Sequence, residues 1–209
     1  LAAPPSYTRL EVQARTNLLV NDNGFNLPPG SSFSSVSPTI NASGQVTFPV
    51  QVVTDPADPS FSGIGIWSGA GGVGEVVEVI GPATNETYIS DRAWINASGQ
   101  IAFYTHPGGT PYRLRIYDPA TGSSGIVSTL PLTPSSFSGV VLSDSGVLGY
   151  QAGFSGAGRG FASTGDGTSV LHAADTSLNP TGGLAYLYTP AMNNARLIAG
   201  KVSVGDYSH

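Results

Sequence analysis

The sequence predicts an all-β repeat protein, and it favours a β-propeller of about four blade-like units or part of a larger ring. The main observation is that the segment at residues 40–48 recurs at residues 95–103, with the same turn residues and the same apolar alternation. Weaker copies occupy residues 142–150 and 192–200. The copies start 55, 47 and 50 residues apart. A period near 50 residues is typical of propeller blades.

The composition also favours short strands joined by turns. The 209 residues include 28 glycines and 16 prolines, and only 10% are charged whereas 40% are hydrophobic. Cysteine is absent, which excludes disulfides and thiolate sites. The net charge is −5 and the eight basic residues are scattered, so a nucleic-acid partner is not expected. No apolar run is long enough for a transmembrane helix.

Residues 1–30 precede the first copy. Loose alternation predicts a strand at residues 7–14, and a second apolar stretch predicts one at 18–20 before an Asn-Gly turn. These strands have no unit of their own. We therefore expect them to complete the last unit or to pair with a neighbouring molecule.

Residues 31–209 divide into four units, with approximate bounds 31–88, 89–136, 137–180 and 181–209. Alternating apolar segments between turn residues predict four strands in each of the first three units. The predicted strands are 35–40, 46–53, 63–67 and 75–80; then 93–95, 101–105, 112–117 and 125–130; then 140–142, 147–152, 160–162 and 169–173. The last unit supplies only two strands, between residues 184 and 204. Strands from the amino end would complete it, as in propeller closure.

The repeated turn contains residues that reverse a strand within a few positions. Asn and Asp side chains accept hydrogen bonds from the backbone two residues on, and glycine adopts positive φ without strain. The predicted turn residues are Asn41 and Gly44, Asn96 and Gly99, and Asp144 and Gly146. An apolar residue and then an aromatic one follow each turn at alternate positions, so both lie on one face of the next strand.

This unit resembles the NxxGxxAF repeat of secreted or surface-anchored bacterial proteins, which look like β-propeller proteins. The second copy matches in full, and the first has Thr47 in the alanine position. The matching residues are Asn41, Gly44 and Phe48, and Asn96, Gly99, Ala102 and Phe103. The third copy has Ser143, Gly146, Gly149 and Tyr150 in these places, and the fourth keeps Asn193 but has Arg196 in the glycine position. The resemblance implies a propeller-like fold and a secreted, extracellular or cell-surface location. It implies no catalytic activity.

The function that these observations favour is a non-enzymatic surface or matrix component that acts by binding or self-assembly. The expected partners are a second copy, through strand pairing at the termini, or a polysaccharide; no cofactor and no metal are expected. One alternative is a polysaccharide lyase or hydrolase. Tyr104, His106, Tyr112 and Arg113 would then abstract a proton from a uronic acid and neutralise its carboxylate.

A lectin-like carbohydrate-binding module is the other alternative. Aromatic side chains that could stack on sugars are Trp67, Trp94, Tyr117, Tyr186 and Tyr188.

Three further patterns carry less weight. The GxGxxG sequence at residues 69–74 lies between two predicted strands, so it predicts a hairpin loop rather than a phosphate site. Asn41, Asn85 and Asn96 begin glycosylation sequons, two of which are the repeat turn itself. The three histidines, His106, His172 and His209, do not have the spacing of a helical zinc site.

Overall fold

The computed structural model describes residues 12–14, 27, 30–33, 37–53, 62–80, 86–90, 92–107, 111–127, 130, 133–165 and 167–205. Within these ranges the chain forms fifteen strands in four antiparallel sheets, and no helix. The all-β prediction is therefore confirmed.

The four sheets follow one another along the chain, and each contains one copy of the repeat turn between two of its strands. Sheet 1 contains β1 (Thr39–Ile40), β2 (Val46–Val53), β3 (Ser62–Ala70) and β4 (Val73–Ile80). Sheet 2 contains β5 (Glu86–Ile89), β6 (Trp94–Ile95), β7 (Ile101–Pro107), β8 (Arg113–Asp118) and β9 (Ser123–Ile126). Sheet 3 contains β10 (Ser136–Leu142), β11 (Leu148–Phe154), β12 (Gly158–Gly165) and β13 (Thr168–Ala174). Sheet 4 contains β14 (Leu184–Met192) and β15 (Ile198–Val204).

Successive sheets are placed side by side with their first strands adjacent. Strand β6 lies against both β1 and β10, and β10 lies against β14. The Thr39 hydroxyl donates to the carbonyl oxygen of Ala93 at 2.7 Å, and Ser37 forms a parallel bridge with Arg92, so the first strands of sheets 1 and 2 are bonded directly. Meander sheets whose first strands meet at the centre are the blades of a β-propeller.

Each of these first strands is irregular. In sheet 2, β5 and β6 pair with different parts of β7, and residues 90–93 separate them. In sheet 1, Ser32 bridges to Gln51 apart from β1. The registers of β10 and β14 shift between Ser138 and Val141 and between residues 187 and 190. Strand β5 is absent from the sequence prediction.

The aromatic positions of the repeat are buried in equivalent places. Phe48, Phe103 and Tyr150 are each the third residue of the strand that follows the turn. Their exposed fractions are 6%, 0% and 0%. The repeat in the sequence is therefore a repeat in the structure, because the same position fills the core of three successive sheets.

The described part of the amino-terminal segment differs from the prediction. Residues 12–14 form no strand. They lie beside Val46 and Phe48 of sheet 1, where the Gly72 N–H donates to the side-chain oxygen of Gln13 at 3.2 Å. The predicted strand at 18–20 is outside the described residues, so the closure of sheet 4 by the amino end stays a prediction.

Candidate functional site

The four repeat turns share one hydrogen-bond pattern. In each, the first residue donates its N–H to the carbonyl oxygen four residues on, and the fourth residue donates back to the first. The side chain of the first residue accepts from the N–H of the fifth, at 2.9–3.0 Å in every copy. Gly44, Gly99 and Gly146 have φ of 82°, 82° and 78°, and Arg196 occupies the same left-handed region at 65°.

These turns also bond to one another across the sheets. The Asn41 amide donates to the carbonyl oxygen of Asn96 at 2.9 Å, and the Asn96 amide donates to that of Ser143 at 3.0 Å. We call this series of contacts the turn ladder. Because each link joins two consecutive sheets, the turn residues hold the sheets together as well as reversing the chain.

The third turn continues the ladder with a different residue. Ser143 has no amide to donate, and the link to sheet 4 passes through Asp144 instead. Its N–H donates to the Asn194 side-chain oxygen at 3.0 Å, and its carboxylate accepts from the Asn194 amide. Asp144 also accepts from the Ala97 N–H at 2.9 Å, so it bridges sheets 2 and 4.

The ladder bears on two of the three sequons. Asn96 is 3% exposed, and its Nδ2 atom, to which a glycan would be attached, donates to Gln100 and to Ser143. The folded chain therefore leaves no room for a glycan at Asn96. The Nδ2 atom of Asn41 is likewise bonded within the ladder. Asn85 lies outside the described residues.

The first strands of all four sheets enclose a cleft of about 460 Å³, which we call the central cleft. Its lining residues are Ser37, Arg92, Trp94, Tyr104, Phe137, Ser138, Gly139, Val140, Val141, Thr189 and Pro190. Most of them come from the irregular parts of the first strands, where the pairing with the next strand is interrupted or shifted in register. A volume of this size falls within the range of about 300–1,000 Å³ that small-molecule sites occupy.

One repeat position supplies a lining residue in every copy. Ser37, Arg92, Gly139 and Thr189 each lie four residues before the first residue of the turn, at 41, 96, 143 and 193. This position differs in every copy, whereas the first and fourth turn residues are each the same in three of the four copies. The sequence therefore contains a signal for the cleft, namely the repeat position four residues before the turn.

The central cleft combines one cation with aromatic walls. The Arg92 side chain is exposed and makes no hydrogen bond or ion pair with any described residue. The Trp94 and Tyr104 rings stack at 6.5 Å, and Tyr104 lies 5.9 Å from the Phe137 ring. Among the described lining residues there is no carboxylate and no imidazole. The arrangement is thus suited to binding an uncharged or anionic ring, because it offers stacking faces and a guanidinium.

The residues proposed for a lyase are not all on one face. Tyr112 stacks on His106 at 4.4 Å and lies 5.8 Å from Tyr104, so these three lie together. Arg113 pairs with Thr105 in the sheet and reaches Glu86 at 3.5 Å on the opposite face. Three of the predicted four therefore lie together, and Arg113 lies on the other face because adjacent residues of a strand point to opposite faces. A lyase activity of these residues stays a prediction.

A second cleft of about 440 Å³ lies beside His106 and Tyr112. Its lining residues are His106, Pro111, Tyr112, Thr133, Pro134, Ser135, Phe154, Ser155 and Ala157. Trp94, Tyr104, Tyr112 and His106 form a continuous row of rings between this cleft and the central one. The row gives an extended ligand a path along the junction of sheets 2 and 3.

The aromatic side chains that could stack on sugars have different environments. Trp67 is fully buried, and it stacks on Phe48 at 5.0 Å within sheet 1. Tyr186 and Tyr188 are exposed on sheet 4, where a guanidinium and an ammonium lie over their rings. Of the predicted set, Trp94 lines the central cleft.

Tyr117 belongs to the core rather than to a site. Burial raises the pKa of its hydroxyl above the ordinary value, and the negative charges of Glu75, Glu78 and Asp118 raise the pKa further. The phenol therefore stays neutral at neutral pH, where it packs against the interior of sheets 1 and 2.

A serine and a histidine meet outside both clefts. The Ser163 hydroxyl and the His172 Nε2 atom are 2.7 Å apart on β12 and β13, next to a register shift between Phe161 and Ala162. No described residue orients the other ring nitrogen, and the pair lines neither cleft. The contact lacks the third group and the enclosure that a catalytic triad requires.

The described residues contain neither a metal-binding cluster nor a membrane-spanning helix. No group of three or more acidic, histidine or cysteine side chains could hold a metal ion there. No helix in that part of the chain is long and apolar enough to cross a membrane.

Comparison with known proteins gives little beyond this geometry. No family model and no curated sequence matches the chain. Among solved structures it is similar to TolB from Acinetobacter baumannii, with a TM-score of 0.37 and 13% identity. The alignment covers 80% of this chain and 54% of the TolB chain, so the chain spans about half of that protein's length. A likeness of this degree supports no functional argument.

Proposed function

We propose that this protein is a secreted bacterial surface or extracellular-matrix protein that acts by binding, and that the central cleft binds carbohydrate. The observation that carries the proposal is the pairing of the Trp94 and Tyr104 rings at the wall of a 460 Å³ cleft. Aromatic rings offer apolar faces against which sugar rings pack, and few convergent polar groups are enough to orient a ligand.

The polar groups of the cleft fit the same ligand class. Ser37, Ser138 and Thr189 come from three different sheets and line the cleft. The Ser138 hydroxyl donates to the Gln151 side-chain oxygen at 2.7 Å and keeps its lone pairs as acceptors. A hydroxyl both donates and accepts, as the hydroxyl groups of a sugar do. Binding without catalysis agrees with a lining of hydroxyls and a guanidinium, since general acid–base chemistry at a sugar ordinarily uses carboxylates or histidine.

The tryptophans of the chain provide a direct test. The chain has two, and Trp67 is fully buried whereas Trp94 is half-buried at the cleft. We expect a soluble oligosaccharide that binds in a calorimetric titration to change the fluorescence of Trp94 with the same saturation curve. Trp94→Phe should abolish the fluorescence change and weaken binding, whereas Tyr188→Ala, on exposed sheet 4, should leave both unaltered.

The outcome that contradicts this proposal is equally clear. A panel of neutral and acidic oligosaccharides that produces no calorimetric heat and no change in Trp94 emission would overturn it. Binding that survives Trp94→Phe and Trp94→Ala unchanged, in variants that remain folded by circular dichroism, would place the ligand elsewhere.

Self-assembly is a second candidate, favoured by the fourth sheet, which has two strands among the described residues. Strand β15 pairs with β14 on one side, and no described strand pairs with its other edge. Val202 and Val204 on this strand are exposed. A strand edge that has no partner in its own chain is a template for strand addition.

The occupant that we propose for this edge is the amino-terminal segment of a second copy. In its own chain, that segment is tied to sheet 1 through Gln13, and its residues 12–14 are not a strand of sheet 4. A head-to-tail contact of this type propagates into a filament unless the rotation closes.

Light scattering and negative-stain microscopy test this second candidate. The full chain should form assemblies that grow with concentration, and deletion of residues 1–11 should leave a folded monomer. A full chain that stays monomeric, with the β15 amides protected from hydrogen exchange, would show closure within one chain instead.

A further inference from the structure

We infer that Arg92 makes the central cleft selective for acidic carbohydrate, meaning a sugar whose carboxylate pairs with the guanidinium. The inference rests on the proposed carbohydrate function and names the class of ligand more narrowly. It is based on the Arg92 side chain, which has no partner among the described residues, whereas every other described basic side chain has one.

The other described basic side chains have partners. Arg113 and Arg115 reach Glu86 at 3.5 and 3.1 Å, and Arg159 lies over the Tyr186 ring. Lys201 lies over a tyrosine ring, and the Arg196 side chain donates to a serine hydroxyl. Arg92 lines the central cleft and makes no such contact with a described residue. An unpaired guanidinium in such a place is available to a ligand.

The backbone holds Arg92 in position. Its carbonyl oxygen accepts from the Ser90 hydroxyl at 2.6 Å, and its main chain bridges to Ser37 of sheet 1. The side chain therefore starts from a fixed point between the two split first strands. Because the backbone is fixed, a ligand that binds the guanidinium has to order only the side-chain rotamers.

The electrostatic setting favours an anion. The chain carries a net charge of −5, yet the described lining of the cleft contains one positive charge and no negative one. The rings of Trp94, Phe137 and Pro190 line the same cleft. Apolar groups beside a charge strengthen its pairing with an anion relative to a pair on a fully open surface.

The geometry of the ligand follows from these groups. A guanidinium presents parallel N–H donors that match the two oxygens of a carboxylate, and an ammonium does not. With the carboxylate on Arg92, the sugar ring lies towards Trp94 and Tyr104, and its hydroxyls towards Ser138 and Thr189. A uronic acid residue within a polysaccharide has all three features.

The test compares one sugar with and without its charge. Oligogalacturonate and its methyl ester share a backbone and differ in the carboxylate, so calorimetric titration of both against the full chain isolates the ion pair. We expect the acid to bind at least about tenfold more tightly than the ester, and Arg92→Gln to remove that difference. Arg92→Lys should restore only part of it. Arg196→Gln makes the same change in net charge outside the cleft and should change neither affinity.

Each other result has a definite meaning. Equal binding of acid and ester, unchanged in Arg92→Gln, would overturn the inference and leave the proposed carbohydrate site standing. Loss of preference in Arg196→Gln as well would mean that net charge, not Arg92, selects the acid. No binding of either sugar, with Trp94 emission unchanged, would overturn this inference for these ligands together with the carbohydrate function for this sugar.

Discussion

Replacing Asn96 by alanine tests the turn ladder at its most buried point. The Asn96 amide donates to the Gln100 side chain at 2.9 Å and to the Ser143 carbonyl oxygen at 3.0 Å. Its oxygen accepts from the Ser98 hydroxyl and from the N–H groups of Ser98 and Gln100. Alanine removes all five bonds.

The cost depends on which partners water can reach. Ser98 is exposed, so solvent replaces both of its bonds. The Ser143 carbonyl oxygen and the Gln100 N–H lie where Asn96 covers them, and Ser143 is 1% exposed. An unsatisfied buried group costs about 1–3 kcal/mol, so two such groups should lower the free energy of unfolding by about 2–6 kcal/mol.

Asn41 is the matched control. It makes the same turn bonds and donates to Asn96 at 2.9 Å, but it is only half-buried because no turn precedes it in the ladder. Asn41→Ala should therefore cost about 1 kcal/mol. The assay is urea unfolding followed by tryptophan fluorescence, with equal m-values as the check that the two variants unfold alike. Asn96→Ala within about 0.5 kcal/mol of the parent chain, or no costlier than Asn41→Ala, would refute the reasoning.

Four further changes have defined outcomes in the same assay. Gly99→Val should destabilise by about 1–3 kcal/mol because φ is 82°, whereas Gly125→Val, at ordinary φ with open space around it, should not; equal effects would contradict this. Phe103→Ala should cost about 3–5 kcal/mol, since the ring is fully buried, and a smaller loss would mean that the site is not core. Arg196→Gly should stabilise by about 0.5–1 kcal/mol by relieving a left-handed φ of 65°, and a destabilised variant would refute that. The raised pKa of Tyr117 favours the protonated folded state, so its contribution is complete below about pH 10 and is lost as pH rises towards the folded pKa; Tyr117→Phe should flatten this part of the stability profile, and an unchanged profile would exclude the effect.

The strands that flank the repeat turn could be predicted from sequence because their determinants are local. An Asn or Ser, a glycine three residues later and an alternating apolar strand are enough to place β2, β7 and β11. Strand β5 could not be placed in this way. It is four residues long, and it is a strand because it pairs with residues 105–107 of β7, not because its own sequence alternates.

Part of the candidate site was also accessible from sequence. Tyr104 and His106 are two residues apart on one strand, so strand alternation places them on one face and Arg113, directly after Tyr112, on the other. Applying that rule would have separated Arg113 from the set in advance. The meeting of Ser163 with His172 depends on a register shift, which no local pattern indicates.

The repeat explains why the sequence predicts the fold more directly than it predicts the central cleft. Positions on which the copies agree are those that every sheet needs, namely the turn residues that bond to the next sheet and the aromatic residue that fills the core. The position four residues before the turn lines the central cleft, where contacts between sheets do not require the same residue in every copy. The four copies have Ser37, Arg92, Gly139 and Thr189 at this position. Three side chains of different chemistry and one glycine occupy these equivalent positions, so the lining is asymmetric although the scaffold repeats. An asymmetric ligand with one charged group can then bind in one orientation, because only one of the four positions supplies a cation.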